Sequence, residues 1–197
     1  DSGIKVRILL QSEGPTEAPI PDEPKALDKT DVIIVGDVNP RFFTDTQLDV
    51  LEDFVSRRGG GLILIAGEDF MPTAYRDTPI EKLLPVVLPA RGKPSYLMAR
   101  NNEPFFLKLT QDGDAYAAMR LEEDPLANAQ AWARLPGHYW SRTAERLRPA
   151  ATALAIQADD KRGAATIPIV SLQRYGKGQV LYLAIDSTWR WRHLWGE

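Results

Sequence analysis

The sequence contains no cysteine, and that absence removes several kinds of chemistry together. Disulfide bonds, thiolate metal sites and thiol nucleophiles all need a cysteine sulfur. Histidine is almost as scarce, with two residues in a chain of 197. The candidate catalytic groups are therefore chiefly carboxylates, hydroxyls and these two imidazoles.

A basic excess and long apolar runs are missing as well. The formal net charge is −3, whereas a surface that binds duplex nucleic acid usually carries a clear excess of basic residues. The longest apolar runs, residues 62–66 and 180–185, are far shorter than the roughly 20 residues that span a bilayer. We therefore predict no nucleic-acid partner, no cofactor, and no direct insertion of this chain into a membrane.

Two short apolar runs with a helix between them predict a parallel sheet. Residues 31–35 (DVIIV) and 62–66 (LILIA) are typical of buried strands. A helix is predicted to be capped by Thr44 or Asp45, with Gln47 three residues after Thr44 as in a capping box, and to end at the glycines 59–61. Its apolar residues recur at helical spacing: Leu48, Leu51, Phe54 and Val55.

Further strands are predicted near both ends of the chain. Residues 4–10 (IKVRILL) alternate apolar and basic side chains, as in a strand with one wet face, and residues 11–29 read as a long loop. Residues 167–174 and 179–185 predict a β-hairpin, since the connection Tyr175-Gly176-Lys177-Gly178 supplies glycines for a tight turn.

The middle of the chain is less regular. A short helix is predicted at 78–81, and the region 89–165 is interpreted as an insertion packed on the core. Within that region the sequence predicts a strand at 105–109 and a helix at 126–133. The predicted fold is a single α/β domain over residues 1–197, a three-layer sandwich with a mostly parallel sheet and a C-terminal hairpin.

Four stretches share their pattern with a known family. They are residues 57–65 (RRGGGLILI), 75–86 (YRDTPIEKLLPV), 174–183 (RYGKGQVLYL) and 186–192 (DSTWRWR). Together they resemble the class I glutamine amidotransferase-like domain found in large bacterial membrane proteins that also carry a von Willebrand factor A domain. The hairpin alone is shared by several families, whereas its combination with DSTWRWR and YRDTP is more specific.

The resemblance implies a flavodoxin-like sheet, and it implies a parent protein at the bacterial inner membrane whose other domains are partners of this one. In active members a cysteine lies on the turn after the strand that matches residues 62–66. Here that turn reads Ala66-Gly67-Glu68-Asp69-Phe70, and no His-x-Glu follows the hairpin. A carboxylate cannot replace the soft, base-activated thiolate that releases ammonia from glutamine. We therefore predict a non-catalytic binding or interaction module, a pseudoenzyme.

Polar side chains follow several of the predicted strands. Because parallel strands bring their carboxyl ends to one edge of a sheet, these side chains are expected to lie at that edge. One interpretation is a ligand crevice for a divalent cation or a polyol, since hard cations prefer oxygen ligands. It supports the alternative function, a metal- or carboxylate-dependent hydrolase. The other interpretation, which we favour, is that these groups cap neighbouring turns. The residues concerned are Asp37, Asn39, Glu68, Asp69 and Asp186.

Other polar residues have a structural interpretation that we favour over a catalytic one. His138 is predicted to join aromatic packing beside Tyr139 and Trp140, and His193 lies in no nucleophile motif. Ser187 is predicted to cap a turn, because no G-x-S-x-G elbow surrounds it.

The run of alternating tryptophan and arginine is a candidate interaction surface, since arginine stacks on aromatic rings. It is predicted to pack against the rest of a longer chain or a partner domain: Trp189, Arg190, Trp191 and Arg192.

We expect the chain to be a piece of a longer protein, since it opens without Met and stops directly after an aromatic and basic run. The family normally begins with a strand that lies between those matching residues 4–10 and 31–35, and that strand is missing here. Either residues 4–10 take the vacant place or two copies pair through an exposed strand edge, because such edges recruit other chains.

Overall fold

The computed structural model describes residues 3–8, 20–98, 103–158 and 167–194. The described strands are β1 (Val32–Val35), β2 (Gly61–Ile65), β3 (Val86–Val87), β4 (Tyr96–Met98), β5 (Phe106–Leu109), β6 (Trp140–Arg142), β7 (Arg146–Leu147), β8 (Ala151–Ala158), β9 (Pro168–Tyr175) and β10 (Gly178–Leu183). The α-helices are α1 (Asp45–Ser56), α2 (Pro79–Leu83), α3 (Gln111–Ala115) and α4 (Pro125–Arg134). Short 3-10 helices lie at Pro24–Leu27, Pro40–Phe42, Thr73–Tyr75, Ala117–Met119 and Ser187–Leu194.

Six of these strands form one mixed sheet in the order β1-β2-β10-β9-β8-β5. Strands β1 and β10 both pair with β2 in parallel register, and the three remaining pairings are antiparallel. Four strands, β1, β2, β10 and β8, therefore share one direction. The predicted α/β class with one large sheet is confirmed, although true parallel pairing is confined to β1, β2 and β10.

Helix α1 follows the prediction closely. The Thr44 hydroxyl accepts the Gln47 backbone N–H, and the Gln47 side chain accepts the Thr44 N–H, so the capping box is complete. The helix buries Phe54 and Val55 over the start of β10. The predicted strand–helix–strand unit is thus present.

The two faces of the sheet differ in how well they are covered. On the α1 side the inward residues of β2 and β10 are fully buried: Leu62, Leu64, Val180 and Tyr182. On the opposite side Tyr116, which follows α3, donates a hydrogen bond to Gln179 and covers part of the sheet. At the β1 end of that face Val32 and Ile34 are 51% and 62% exposed. The elements that cover this opposite face therefore leave its β1 end exposed.

The predicted strand at 4–10 is not formed. Residues 3–8 lie outside any strand, and residues 9 and 10 fall outside the described residues. Ile4, Val6 and Ile8 are 74–76% exposed. Alternation of side chains favours an extended backbone, but a strand is defined by pairing with another strand, and residues 3–8 belong to no strand pair of the described structure. These residues also do not take the vacant place next to β1, which was one of the two expected arrangements.

The predicted loop at 11–29 is partly ordered where it is described. Residues 20–29 contain the 3-10 helix Pro24–Leu27 and bury Ile20 and Leu27 against the core. Residues 11–19 fall outside the described residues.

The region 89–165 contributes more to the core than its irregular sequence indicates. The predicted strand at 105–109 is β5, and the predicted helix at 126–133 is α4. Strand β8, which the sequence did not predict, joins β5 to β9 in the central sheet. Its sequence ATALAIQA is rich in alanine, which has low strand preference. No helix among the described residues combines the length and apolar character needed to cross a membrane.

The hairpin of β9 and β10 is confirmed, and its turn depends on Gly176. This residue has φ +58°, and a Cβ placed there would lie 2.2 Å from the backbone oxygen of Ser56 at the end of α1. Gly92 also has positive φ, +82°, but a Cβ there would meet open space. Comparing Gly176 with Gly92 therefore separates the cost of a positive φ from the cost of a steric clash.

We expect Gly176→Ala to lower the free energy of unfolding by about 2–4 kcal/mol, because it adds a clash to the strain of a positive φ. Gly92→Ala should cost only the strain, about 1 kcal/mol. Urea unfolding of both variants measures the difference. Equal losses would mean that the hairpin turn does not press against the end of α1.

Candidate functional site

The carboxyl ends of β1, β2 and β10 meet at one edge, where Asp37 organises the turn after β2. Its carboxylate accepts backbone N–H groups from Asp69 at 2.9 Å, Phe70 at 2.8 Å and Met71 at 2.6 Å. Gly67 allows this approach, since a Cβ there would lie 2.0 Å from the Asp37 carboxyl carbon. Asp37 therefore caps the turn of residues 66–70 that follows β2.

Arg142 holds the same turn from the other side. This buried side chain, on β6, donates from Nε to the Gly67 carbonyl at 2.8 Å and from its guanidinium to the Glu68 carbonyl. It also donates to the Ser95 hydroxyl at 3.2 Å. The backbone N–H of Arg142 donates to the Ala184 carbonyl at 2.7 Å, which fixes β6 at the end of β10. Sequence reasoning missed Arg142, because no local pattern marks it.

Asp186 follows β10 and shares the electrostatic environment of this edge. Partial burial raises the pKa of its carboxyl group above the ordinary value, and the negative charges of Glu68 and Asp37 raise it further. A hydrogen bond from the Trp140 side chain acts in the opposite direction. Glu68 and Asp37 thus lie close enough to Asp186 for their charges to act on its carboxyl group.

The other predicted crevice residues differ in their roles. The Asn39 side chain accepts the Arg41 N–H at 3.0 Å and caps the 3-10 helix Pro40–Phe42. Glu68 and Asp69 are exposed. In the part of the chain that the structure describes, no three His, Asp or Glu side chains lie close enough to hold a metal ion. For Asp37 and Asn39, the capping interpretation describes what the side chains do.

Burial also affects Tyr75, which packs beneath the turn. Its hydroxyl donates to the Val38 carbonyl at 2.7 Å, and its pKa is raised, mainly by burial and further by the charge of Asp37. Tyr75 therefore stays protonated and fixes the chain just after β1.

His138 lies in an aromatic cluster, as predicted, but it also has a partner that sequence reasoning missed. Its ring packs against Phe105 at 5.8 Å and against Trp191 at 5.7 Å between centroids. Its Nδ1 lies 2.8 Å from the Ser187 hydroxyl. Burial lowers the pKa of His138 to about 4, and the charge of Arg190 acts in the same direction. Ser187 thereby ties the 3-10 helix Ser187–Leu194 to the Phe105–His138 bridge.

The predicted interaction surface divides between two environments. Trp191 turns inward and packs against Trp132 and His138 of its own chain, and it is half-buried. Trp189 is 56% exposed. The guanidinium of Arg190 lies 5.0 Å from the centre of the Tyr139 ring. Arg192 is exposed, and the side chain of His193 lies outside the described residues.

A scan against protein-family models finds no match, and no curated protein is significantly similar in sequence. Among solved structures, cytoplasmic protein STM3548 from Salmonella typhimurium has a TM-score of 0.62 at 16% identity, covering 85% of this chain and 65% of its own. Cytoplasmic protein STM1381 from Salmonella typhimurium LT2 has a TM-score of 0.61 at 18% identity, covering 88% of this chain and 67% of its own.

A β-galactosidase from Rahnella sp. R3 gives a TM-score of 0.54 at 16% identity, over 84% of this chain and 21% of the enzyme. Likeness at these identities shows the fold alone. The chain spans about two thirds of the two Salmonella proteins and about a fifth of the galactosidase.

We expect Asp37→Ala to lower the free energy of unfolding by about 2–4 kcal/mol, because three backbone N–H groups lose a charged acceptor. Asp69→Ala is the matched control: it removes the same charge from an exposed side chain and should change stability by less than about 0.5 kcal/mol. Chemical denaturation of both variants measures the effect. Similar values would contradict the capping role of Asp37.

The low pKa of His138 predicts a loss of stability in acid. The unfolded state, with a histidine pKa of 6.5, binds a proton before the folded state, whose pKa is about 4. The free energy of unfolding should therefore fall by up to about 3 kcal/mol as pH drops from 6.5 to 4. The raised pKa of Asp186 has the opposite effect on stability in acid. Because this effect is present in both the wild type and His138→Gln, comparing the two proteins isolates the contribution of His138. The variant should show a weaker fall, and an unchanged profile would refute the prediction.

Proposed function

We propose that this chain is a non-catalytic, amidotransferase-like interaction module of a larger bacterial protein. One observation carries the proposal: the polar groups of the turn after β2 are bound within the chain. Asp37 accepts the N–H groups of residues 69–71, and Arg142 binds the carbonyls of Gly67 and Glu68. A turn that performs acyl transfer needs backbone N–H groups directed at a developing oxyanion. Here a carboxylate already takes them.

The residue in the nucleophile position supports the same conclusion. Glu68 is the nearest counterpart of the family cysteine, and it is an exposed carboxylate. Its backbone carbonyl is held by Arg142. A hard, solvated carboxylate does not perform the attack for which family enzymes use an activated thiolate.

The finer family assignment is part of the proposal. It rests on the four sequence stretches described above, to which the likeness of the α/β fold adds general support. The flavodoxin-like strand order, the parent protein at the inner membrane, and partnership with its other domains all follow from that resemblance. The open β1 edge and exposed Trp189 supply surfaces through which an interaction module makes contact.

A carboxylate-dependent hydrolase is the second candidate, and the raised pKa of Asp186 favours it. A carboxyl group that remains protonated above its ordinary range is suited to act as a general acid. With Asp37 bound to backbone N–H groups, only Glu68 and Asp186 of the three carboxylates stay available for such chemistry. The first proposal accounts for more of the observed contacts.

The purified chain should release no ammonia from glutamine, because it has no thiol and the N–H groups of residues 69–71 are bound by Asp37. Glutamate dehydrogenase-coupled detection measures the release, with heat-unfolded protein as the blank. Activity that disappears on unfolding would overturn the proposal. In a parallel panel of ester and glycoside substrates, turnover that is lost in Asp186→Asn but kept in Asp69→Asn would instead support the hydrolase.

A further inference from the structure

Strand β1 has the sequence of an interior strand but lies at the edge of the sheet. Its four residues, VIIV, are all β-branched and apolar, a pattern typical of strands that are covered on both faces. Within the described residues β1 pairs only with β2, so its outer edge has no neighbouring strand. Val32 and Ile34 are 51% and 62% exposed on the face away from α1. An edge of this kind favours pairing with another strand.

The same chain carries a segment that matches this edge. Residues 4–8 read IKVRI, so in an extended conformation Ile4, Val6 and Ile8 share one side. All three are 74–76% exposed, and the segment belongs to no strand of the described structure. Lys5 and Arg7 occupy the other side.

We propose that residues 4–8 of a second copy of this chain pair with the open edge of β1. Their apolar side then continues the exposed row of Val32 and Ile34, beside the half-buried Ile63 of β2. The backbone groups along the outer edge of β1 gain strand partners. This inference rests on the proposed interaction function and names its surface and its partner.

Charge favours the same occupant. A cleft of about 430 Å³ lies where β1 and β2 begin, and its walls include Asp28 and Asp31. Asp28 is paired with Arg58, whereas Asp31 is exposed just before β1. A segment with two cations therefore approaches an edge that begins beside the exposed carboxylate of Asp31. Whether the added strand runs parallel or antiparallel to β1, Lys5 or Arg7 falls near Asp31.

A second copy is favoured over the segment of the same chain for two reasons. In the described structure residues 3–8 belong to no strand of the sheet and their apolar side chains are exposed, although the outer edge of β1 has no neighbouring strand among the described residues. Every copy also carries both an edge and a segment, so two identical contacts close a two-fold dimer.

Sedimentation equilibrium from micromolar to millimolar concentration tests the proposal. The wild type should approach twice the 22.0 kDa of one chain. Ile34→Lys places a charge on the edge, and Val6→Pro removes a backbone donor from the segment. Each should weaken dimerisation at least tenfold, which is about 1.4 kcal/mol. Leu126→Lys, a charge at a 68% exposed site on α4, is the matched control and should leave the dimer intact.

Mixing the two variants makes the test specific. Ile34→Lys retains the segment and Val6→Pro retains the edge, so together they should form a 1:1 heterodimer through one remaining contact. Thermal unfolding followed by circular dichroism checks that every variant is folded.

Three results would overturn the proposal. They are a wild type that stays monomeric at millimolar concentration, a Val6→Pro dimer as tight as the wild type, and concentration-independent protection of the amides of residues 4–8 from hydrogen exchange. An undiminished Val6→Pro dimer would indicate direct pairing of two β1 edges. Concentration-independent protection would indicate that residues 4–8 pair within their own chain. A monomer without glutaminase activity would refute the dimer and leave the proposed function standing. A dimer that releases ammonia would support the strand pairing and refute the proposed non-catalytic function.

Discussion

The three hydrogen bonds to the Asp37 carboxylate are the contact on which the rest of this edge depends. They join the end of β1 to the turn after β2, across 32 to 34 residues of sequence. A carboxylate that accepts several backbone N–H groups is a strong, charge-assisted cap. Gly67 is the steric condition for it, since any side chain there would collide with Asp37. The turn is therefore shaped by a contact between two strand ends, and its own sequence supplies only the glycine.

Arg142 completes the arrangement with opposite charge. Its guanidinium binds the carbonyl side of the turn while Asp37 binds the N–H side, so both polarities of the backbone are satisfied. The same edge carries Glu68 and Asp186; partial burial raises the pKa of Asp186, and the charges of Glu68 and Asp37 raise it further. The edge is thus acidic, but one of its carboxylates, that of Asp37, serves to hold the backbone of the turn.

The unequal covering of the sheet gives the fold its second functional feature. Helix α1 packs on one face, where the inward residues of β2 and β10 are fully buried. The opposite face is covered near β8 and β10 but is open at β1. Buried catalytic clefts need closed surroundings, whereas an open apolar edge is suited to association.

Several features were determined by the sequence itself. The capping box of α1, the glycine turn of the β9–β10 hairpin and the apolar runs of β1 and β2 were all predictable, and so was the absence of thiol chemistry. Each is a property of neighbouring residues, because helix caps, tight turns and side-chain periodicity operate within about four positions.

Only the tertiary structure decided the contacts that shape the site. Arg142 reaches back 74 and 75 residues to the turn, and His138 meets Ser187 across 49. The alanine-rich β8 became a central strand, whereas residues 3–8, with a better strand pattern, stayed outside the sheet. The physical reason is common to all of these: a periodic pattern fixes which conformation a segment prefers, but pairing and burial depend on which distant groups the folded chain brings within hydrogen-bonding distance.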